Sequence, residues 1–343
     1  MISASHNPMP DNGIKFFAHG GFKLDDAIED DLTEILGVEW ERPVGDAVGE
    51  VWYDDDMAAK SFVDHLVKAC GVSLKGLRVA VDCANGAASV LGPEALRAAG
   101  ADVVVINAFP DVKNINDDCG STHPEQLQAV TVASGANFGV AFDGDADRCI
   151  AVDHRGNLVD GDKIMGILAK LMKEEGTLAN DTLVVTIMSN LGLLNAMRDA
   201  GIKVVQSAVG DRYVLEAMQA GGYNLGGEQS GHVILSDHAT TGDGVLTAMM
   251  LARAIQTTGK SLDAIIRDGD DRLLLAETER YIYLASHLII FNGVGEQVVD
   301  NLIHLVGIKP CGSFRMWLVE LQANLSVFSH RADILTGFFY EGN

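Results

Sequence analysis

The chain has 343 residues, is 48% hydrophobic and carries 25 basic against 48 acidic residues, for a formal charge of −23, so it is long enough for two or three compact units. That charge argues against nucleic acid or an anionic membrane surface as a partner, because both are met through clustered Lys and Arg. Its five cysteines are odd in number and form no CxxC pair, Met1 to Asp11 holds no apolar core, and no run of about 18 apolar residues occurs, so the expectation is a cytoplasmic protein, neither exported nor membrane-spanning.

The first feature in chain order is SASHNP at residues 3–8, followed by Asp11, Asn12 and Gly13. Ser5 is a candidate nucleophile. A hydrolase triad does not fit, because there is no GxSxG elbow and adjacent side chains such as Ser5 and His6 normally diverge; a plain turn serine is the alternative. Residues 1 to about 56 read as only part of a folded unit.

From about residue 76 a βαβ rhythm sets in, with an apolar run at Leu77 to Asp82, a helical stretch at Ala87 to Ala99 closed by Gly100, and a second run at Val103 to Ile106. A helix starting at Pro124 and ending near Ala133 precedes the buried strand Phe138 to Phe142, which leads into DGDADR. Asp143, Asp145 and Asp147 alternate, so on an extended or gently curved segment their carboxylates face one way. At about 4 Å each pair would repel by roughly 1 kcal/mol in water and about 4 kcal/mol in a partly buried site, which a cation would relieve. Carboxylate oxygens without Cys or His suit a hard ion such as Mg²⁺, and Arg148 could hold a phosphate bidentately. A polar turn of solvated acids is the bland alternative. An EF-hand fails on spacing, because the twelfth position counted from Asp143 is His154 rather than Glu.

A second βα series follows: helix Asp162 to Glu175, strand Leu183 to Ile187, helix Leu191 to Ala200, strand Ile202 to Val205, helix Arg212 to Ala220. It ends in GGEQSGH, residues 226–232, where Glu228, Ser230 and His232 alternate between glycines and could converge on sugar hydroxyls; a simple turn between strands is the alternative. Helix Val245 to Thr258 and a short helix near Leu262 close this unit. After about Arg267 aromatic residues become frequent and no fold is assignable. Alternating strands and helices imply α/β sheets flanked by helices.

The serine loop, DGDADR and GEQSGH, in this order, resemble the α-D-phosphohexomutase superfamily over residues 1 to about 266. ISASHNP with DNGIKFF, residues 188–193, VGDRYV at 209–214 and the Gln of GEQSGH look most like its members acting on glucosamine phosphates. The resemblance implies consecutive phosphohexomutase-type α/β domains with mixed sheets. These are the rest of domain 1 at 1–56 (serine loop), domain 2 at 57–160 (metal loop), domain 3 at 161–266 (sugar-binding loop) and a divergent tail at 267–343. It implies interconversion of glucosamine 6-phosphate and glucosamine 1-phosphate through a phosphoserine at Ser5 and a bisphosphate, feeding UDP-N-acetylglucosamine synthesis. By the same resemblance Mg²⁺ is held by Ser5, Asp143, Asp145 and Asp147, and Glu228, Ser230, His232, Asp211 and Arg212 bind substrate. Lys15 and His232 exchange protons, with the lysine's pKa depressed by the cation and Arg148. Glucose or glucosamine 1,6-bisphosphate is the implied activator, a sugar phosphate the small-molecule partner and a homodimer the assembly.

Family members carry a longer segment before the serine loop and a fourth domain with an Arg, Ser and Thr phosphate loop, for which no matching string occurs between 267 and 343. A fragment, a shifted terminus or a diverged member is therefore expected, with Ser5 chemistry outrunning full isomerisation. Phosphomannomutase or phosphoglucomutase activity, a sugar-phosphate phosphatase and an inactive fragment remain open.

Overall fold

A computed structural model describes residues 1–21, 24, 26–50 and 57–267, so the tail expected from residue 267 lies, but for Arg267, outside the described residues. At the start, strand β1 (Ile2–Ser3) pairs antiparallel with β2 (Gly13–Ile14), and the strand feeding Ser5 is thus only two residues long. Helix α1 (Asp26–Leu36) follows. The sequence reading found no helix here, although Ile28, Leu32, Ile35 and Leu36 recur at the three-to-four spacing of one helical face.

The chain then builds a five-stranded sheet. Helix α2 (Met57–Cys70) leads into β3 (Arg78–Asp82), α3 (Ala88–Ala98), β4 (Asp102–Ile106), α4 (Glu125–Ser134), β5 (Phe138–Phe142), β6 (Cys149–Asp153) and β7 (Leu158–Val159). The order is β4-β3-β5-β6-β7, with β3, β4 and β5 parallel and β6 and β7 antiparallel. Every residue of β5 is buried, as an unbroken apolar run in a covered parallel strand should be. DGDADR spans six residues, too few for a crossover to a parallel neighbour, so the chain must reverse and β6 pairs antiparallel. The sequence reading stopped at the acidic motif and missed this hairpin.

A second, four-stranded sheet follows the same logic. Helix α5 (Gly161–Glu174), β8 (Thr182–Thr186), α6 (Leu191–Asp199), β9 (Lys203–Ser207), α7 (Asp211–Gly221), β10 (Leu225–Gly227), β11 (Val233–Leu235), α8 (Gly244–Thr258) and α9 (Leu262–Arg267) complete the described chain. The order is β11-β10-β8-β9, with β8, β9 and β10 parallel and β11 antiparallel to β10. Three of these helices, α5, α6 and α8, start where a side chain satisfies a free amide of the first turn: Asp160 accepts from Lys163 N–H, Asn190 from Leu193 N–H and Asp243 from Leu246 N–H. From Gly244 to Ile255 helix α8 is buried at every position but Arg253. It packs on α2, α3 and α5, and one apolar core runs through both sheets. The mixed sheets with flanking helices agree with the α/β expectation.

Candidate active site

The serine loop leaves β1 with Ser5 in the left-handed region at φ 50. Its amide donates to Ser3 Oγ at 2.9 Å, and its carbonyl accepts from Gly144 N–H at 3.0 Å and from the Asn116 amide at 2.7 Å. The same Asn116 nitrogen donates to the Asn7 carbonyl at 2.8 Å. Ser5 Oγ lies 3.3 Å from His6 Nδ1, so the two adjacent side chains meet rather than diverge; the left-handed backbone at Ser5 turns them together. Burial first, then the Arg148 charge, lowers the His6 pKa, favouring a neutral imidazole whose Nδ1, if unprotonated, accepts from the serine.

DGDADR joins β5 to β6 as a tight turn, with Ala146 at φ 62. The three carboxylates therefore converge by chain reversal, not on the extended segment the alternation suggested, and one oxygen of each lies within 4.8 Å of the others. Asp143 Oδ2, Asp145 Oδ1 and Asp147 Oδ1 are buried and have no hydrogen-bond partner. Buried carboxylate oxygens left without a donor are costly, and three together form a donor set that fits a hard cation. Asp143 is fully buried. Burial, then the charges of Asp147 and Asp145, push its carboxyl far above the usual range. Asp147 moves the opposite way: burial opposes ionisation, but His232, Lys15 and Arg148 outweigh it.

The cationic groups stand around this trio. Lys15 Nζ reaches Asp145 Oδ2 at 2.7 Å and Asp147 Oδ2 at 3.5 Å. Burial works to lower its pKa, but the hydrogen bond to Asp145 and the two carboxylate charges prevail and raise it. Its nearest charged neighbours are the carboxylates of Asp145 and Asp147. Arg148 Nε sits 3.9 Å from Asp143 Oδ2 and 4.0 Å from Asp147 Oδ1, without a hydrogen-bond partner.

GEQSGH is the turn between β10 and β11, so the bland reading and the functional one describe the same segment. Its backbone joins that of the acidic turn: Arg148 and His232 form an antiparallel bridge, and Cys149 N–H donates to the Gly231 carbonyl at 3.0 Å. His232 is buried between two carboxylates, with Nδ1 3.6 Å from Asp147 Oδ2 and Nε2 3.7 Å from Asp211 Oδ2. Gly242 N–H donates to Nε2 at 3.2 Å, which assigns the ring proton of a neutral imidazole to Nδ1. Glu228 accepts from Gly210 N–H at 3.2 Å. Ser5, Lys15, Asp145, Asp147, Arg148, Asp211, Glu228 and His232 all line one cleft of about 1260 Å³. Ser230 is exposed, Arg212 pairs with Glu216 at 2.9 Å, and neither lines that cleft. Sequence reasoning missed Ser3, His6 and Asn116; the last lies in the polar run NINDDCGSTH at 114–123, which carries few apolar residues and so read as mere connection.

Three family models match the chain in succession: phosphoglucomutase/phosphomannomutase alpha/beta/alpha domain I over residues 1–41, domain II over 60–156 and domain III over 160–271. The chain belongs to this phosphoglucomutase/phosphomannomutase family of phosphohexomutases. Among curated relatives it is similar to the phosphoglucosamine mutases of Bifidobacterium longum subsp. infantis, 61% identical over 277 residues, and of Nocardioides sp., 59% over 265. These matches take in 78% and 77% of this chain, which spans only 60% and 59% of those relatives' lengths. A phosphoglucomutase/phosphomannomutase family protein of Burkholderia thailandensis superposes with a TM-score of 0.64 at 26% identity, over 77% of this chain and 57% of that one. The fold is also that of Aspergillus fumigatus N-acetylphosphoglucosamine mutase, solved with GlcNAc-6P and magnesium, at a TM-score of 0.59 and 18% identity over 78% of this chain and 72% of that one.

Proposed function

We propose that the chain is a phosphosugar mutase that interconverts glucosamine 6-phosphate and glucosamine 1-phosphate through a phosphoserine at Ser5 and a bisphosphate intermediate, in supply of UDP-N-acetylglucosamine synthesis. The observation that carries this reading is the trio of buried, partnerless carboxylate oxygens beside the Ser5 loop and a basic lysine and arginine. Ser5 Oγ accepts and returns the phosphoryl group. Asp143, Asp145 and Asp147, with an oxygen of the modified Ser5, would hold Mg²⁺, which when bound supplies positive charge against the phosphoryl oxygens. Arg148 holds a phosphate oxygen, Lys15 and His232 carry protons to and from the sugar hydroxyls, and Glu228 accepts hydrogen bonds from them. Asp211, Arg212 and Ser230 complete the sugar contacts, the last two as the ligand closes the site.

The finer readings belong to the same proposal. The division at 1–56, 57–160, 161–266 and 267–343, a homodimer and a cytoplasmic location go with it, and no described helix is long and apolar enough to cross a membrane. Intact mass before and after incubation with glucose 1,6-bisphosphate and Mg²⁺, followed by phosphopeptide mapping, tests it. One phosphate on Ser5 and formation of glucosamine 1-phosphate are expected. Phosphate on another serine would overturn the assignment of Ser5, and steady release of inorganic phosphate would favour a sugar-phosphate phosphatase.

A further inference from the structure

We propose that Ser3 is a positioning residue for both halves of the site, its one hydroxyl aiming Asp145 at the cation while it pins the backbone of Ser5. The inference rests on the metal and phosphoserine reading above. Ser3 is half-buried, and its Oγ lies 2.6 Å from Asp145 Oδ2 and 2.9 Å from the Ser5 amide nitrogen. The direction of both bonds is fixed by chemistry. An amide N–H can only donate and an ionised carboxylate can only accept, so the hydroxyl takes the Ser5 N–H on a lone pair and gives its proton to Asp145. A turn serine ordinarily bonds within its own loop; this one also reaches a residue 142 positions away.

The consequence appears in the asymmetry of Asp145. Oδ2 receives two donors, Ser3 Oγ at 2.6 Å and Lys15 Nζ at 2.7 Å, whereas Oδ1 is buried, has none and belongs to the partnerless trio. Holding one oxygen from outside presents the other to the ion, which is how an outer partner orients a metal ligand. Lys15 cannot do this alone, because its side chain is 40% exposed and it has a proton to move. Ser3 is the donor that stays. Since the same hydroxyl restrains Ser5 in its left-handed conformation, metal loading and placement of the nucleophile are set by one group.

Threonine and valine at position 3 share a shape and differ in the hydroxyl, so the decisive comparison is Ser3→Thr against Ser3→Val in the full chain. The readouts are Mg²⁺ affinity by titration calorimetry, the rise in Tm on adding Mg²⁺, and the rate of Ser5 phosphorylation by glucose 1,6-bisphosphate. Ser3→Thr should keep Mg²⁺ affinity within about threefold of wild type, and Ser3→Val should lose about tenfold or more with a matching loss of phosphorylation rate. Ser3→Ala, a second hydroxyl-free variant, is held to the same expectation should the valine not fold. Equal Mg²⁺ affinity in the two β-branched variants, or an equal fall in their Tm with and without Mg²⁺, overturns the role of Ser3 and leaves the mutase reading standing. A wild-type protein that binds no Mg²⁺ overturns both.

Discussion

Replacement of Gly144 by alanine is expected to uncouple the serine loop from the metal loop. A Cβ at Gly144 would lie 2.5 Å from the Ser5 carbonyl oxygen, 2.6 Å from Asn116 Nδ2 and 2.8 Å from Ile115 Cδ1, where relaxed contacts need about 3.5–4.0 Å. Two of the three obstacles are the atoms that tie Ser5 down, so the loop must move by about 1 Å and stretch both the Gly144 N–H bond and the Asn116 bond to Ser5. A buried polar group left unpaired costs about 1–3 kcal/mol, and a misplacement of about 1 Å at a reacting group costs about 10²-fold in rate. Gly144→Ala should therefore lose about 2 kcal/mol of stability and about 10²-fold in the rate at which glucose 1,6-bisphosphate phosphorylates Ser5, followed by intact mass. Gly135→Ala is the control. Gly135 is left-handed at φ +65 with nothing within 4 Å of its Cβ, so alanine there adds about 1–2 kcal/mol of backbone strain and should leave phosphorylation unchanged. If Gly144→Ala, folded by circular dichroism, phosphorylates Ser5 within about threefold of wild type, the serine loop is not held by this contact and the reasoning is wrong.

Three further outcomes follow from the same geometry. Because the Asp143 pKa is raised by burial and by Asp147 and Asp145, its contribution to stability is full below the unfolded value and is lost as pH rises through the raised folded value; Mg²⁺ binds the ionised form, so its stabilising rise in Tm should grow between about pH 5.5 and pH 8, and a pH-independent rise by thermal shift would contradict the cation site. Asn116→Ala removes the donor shared by Ser5 and Asn7 and should destabilise by about 1–3 kcal/mol in urea unfolding. Asp211 lines the cleft beside His232, so Asp211→Asn should cut kcat/KM for glucosamine 6-phosphate about tenfold more than for glucose 6-phosphate, as loss of one charge-assisted contact to an ammonium would; equal losses would remove Asp211 from amino-group recognition.

Most of the middle of the chain was legible because burial and periodicity agree there. Phe138–Phe142 reads as a strand and is one, and the helices at 162, 191 and 212 each begin within a residue of the sequence reading. The first 56 residues were not legible: β1 and β2 are two residues each, too short for any periodic signal, and pair only because the serine loop folds back. The site showed the same split. Alternation in DGDADR pointed to convergent carboxylates for a reason that was half right, since the turn, not an extended pleat, brings them together. Lys15 could be named from its place after the serine loop, but its raised pKa depends on Asp145 and Asp147, which lie far off in sequence. Ser3 and Asn116 act through hydrogen bonds across more than a hundred residues, and no local pattern encodes those.

The arrangement explains why the acidic turn can be both strained and precise. It is gripped on two flanks by backbone: Gly144 N–H donates to the Ser5 carbonyl, and Cys149 N–H donates to the Gly231 carbonyl of the β10–β11 turn. Asp143 and Glu228 each directly follow a parallel strand, β5 and β10, and Asp211 opens the helix after β9, so the residues proposed for the site gather at the carboxyl ends of strands in two sheets, where open α/β sheets place their ligands. Helix α8 packs against β5 and β6 of one sheet and β11 of the other, buried from Gly244 to Ile255 except at Arg253. Main-chain bonds fix the two turns, whereas the side chains of Arg148 and His232 stand directly against the carboxylates of Asp143 and Asp147. Substitutions that disturb the turn backbones, at Gly144 above all, should move the trio and the serine together.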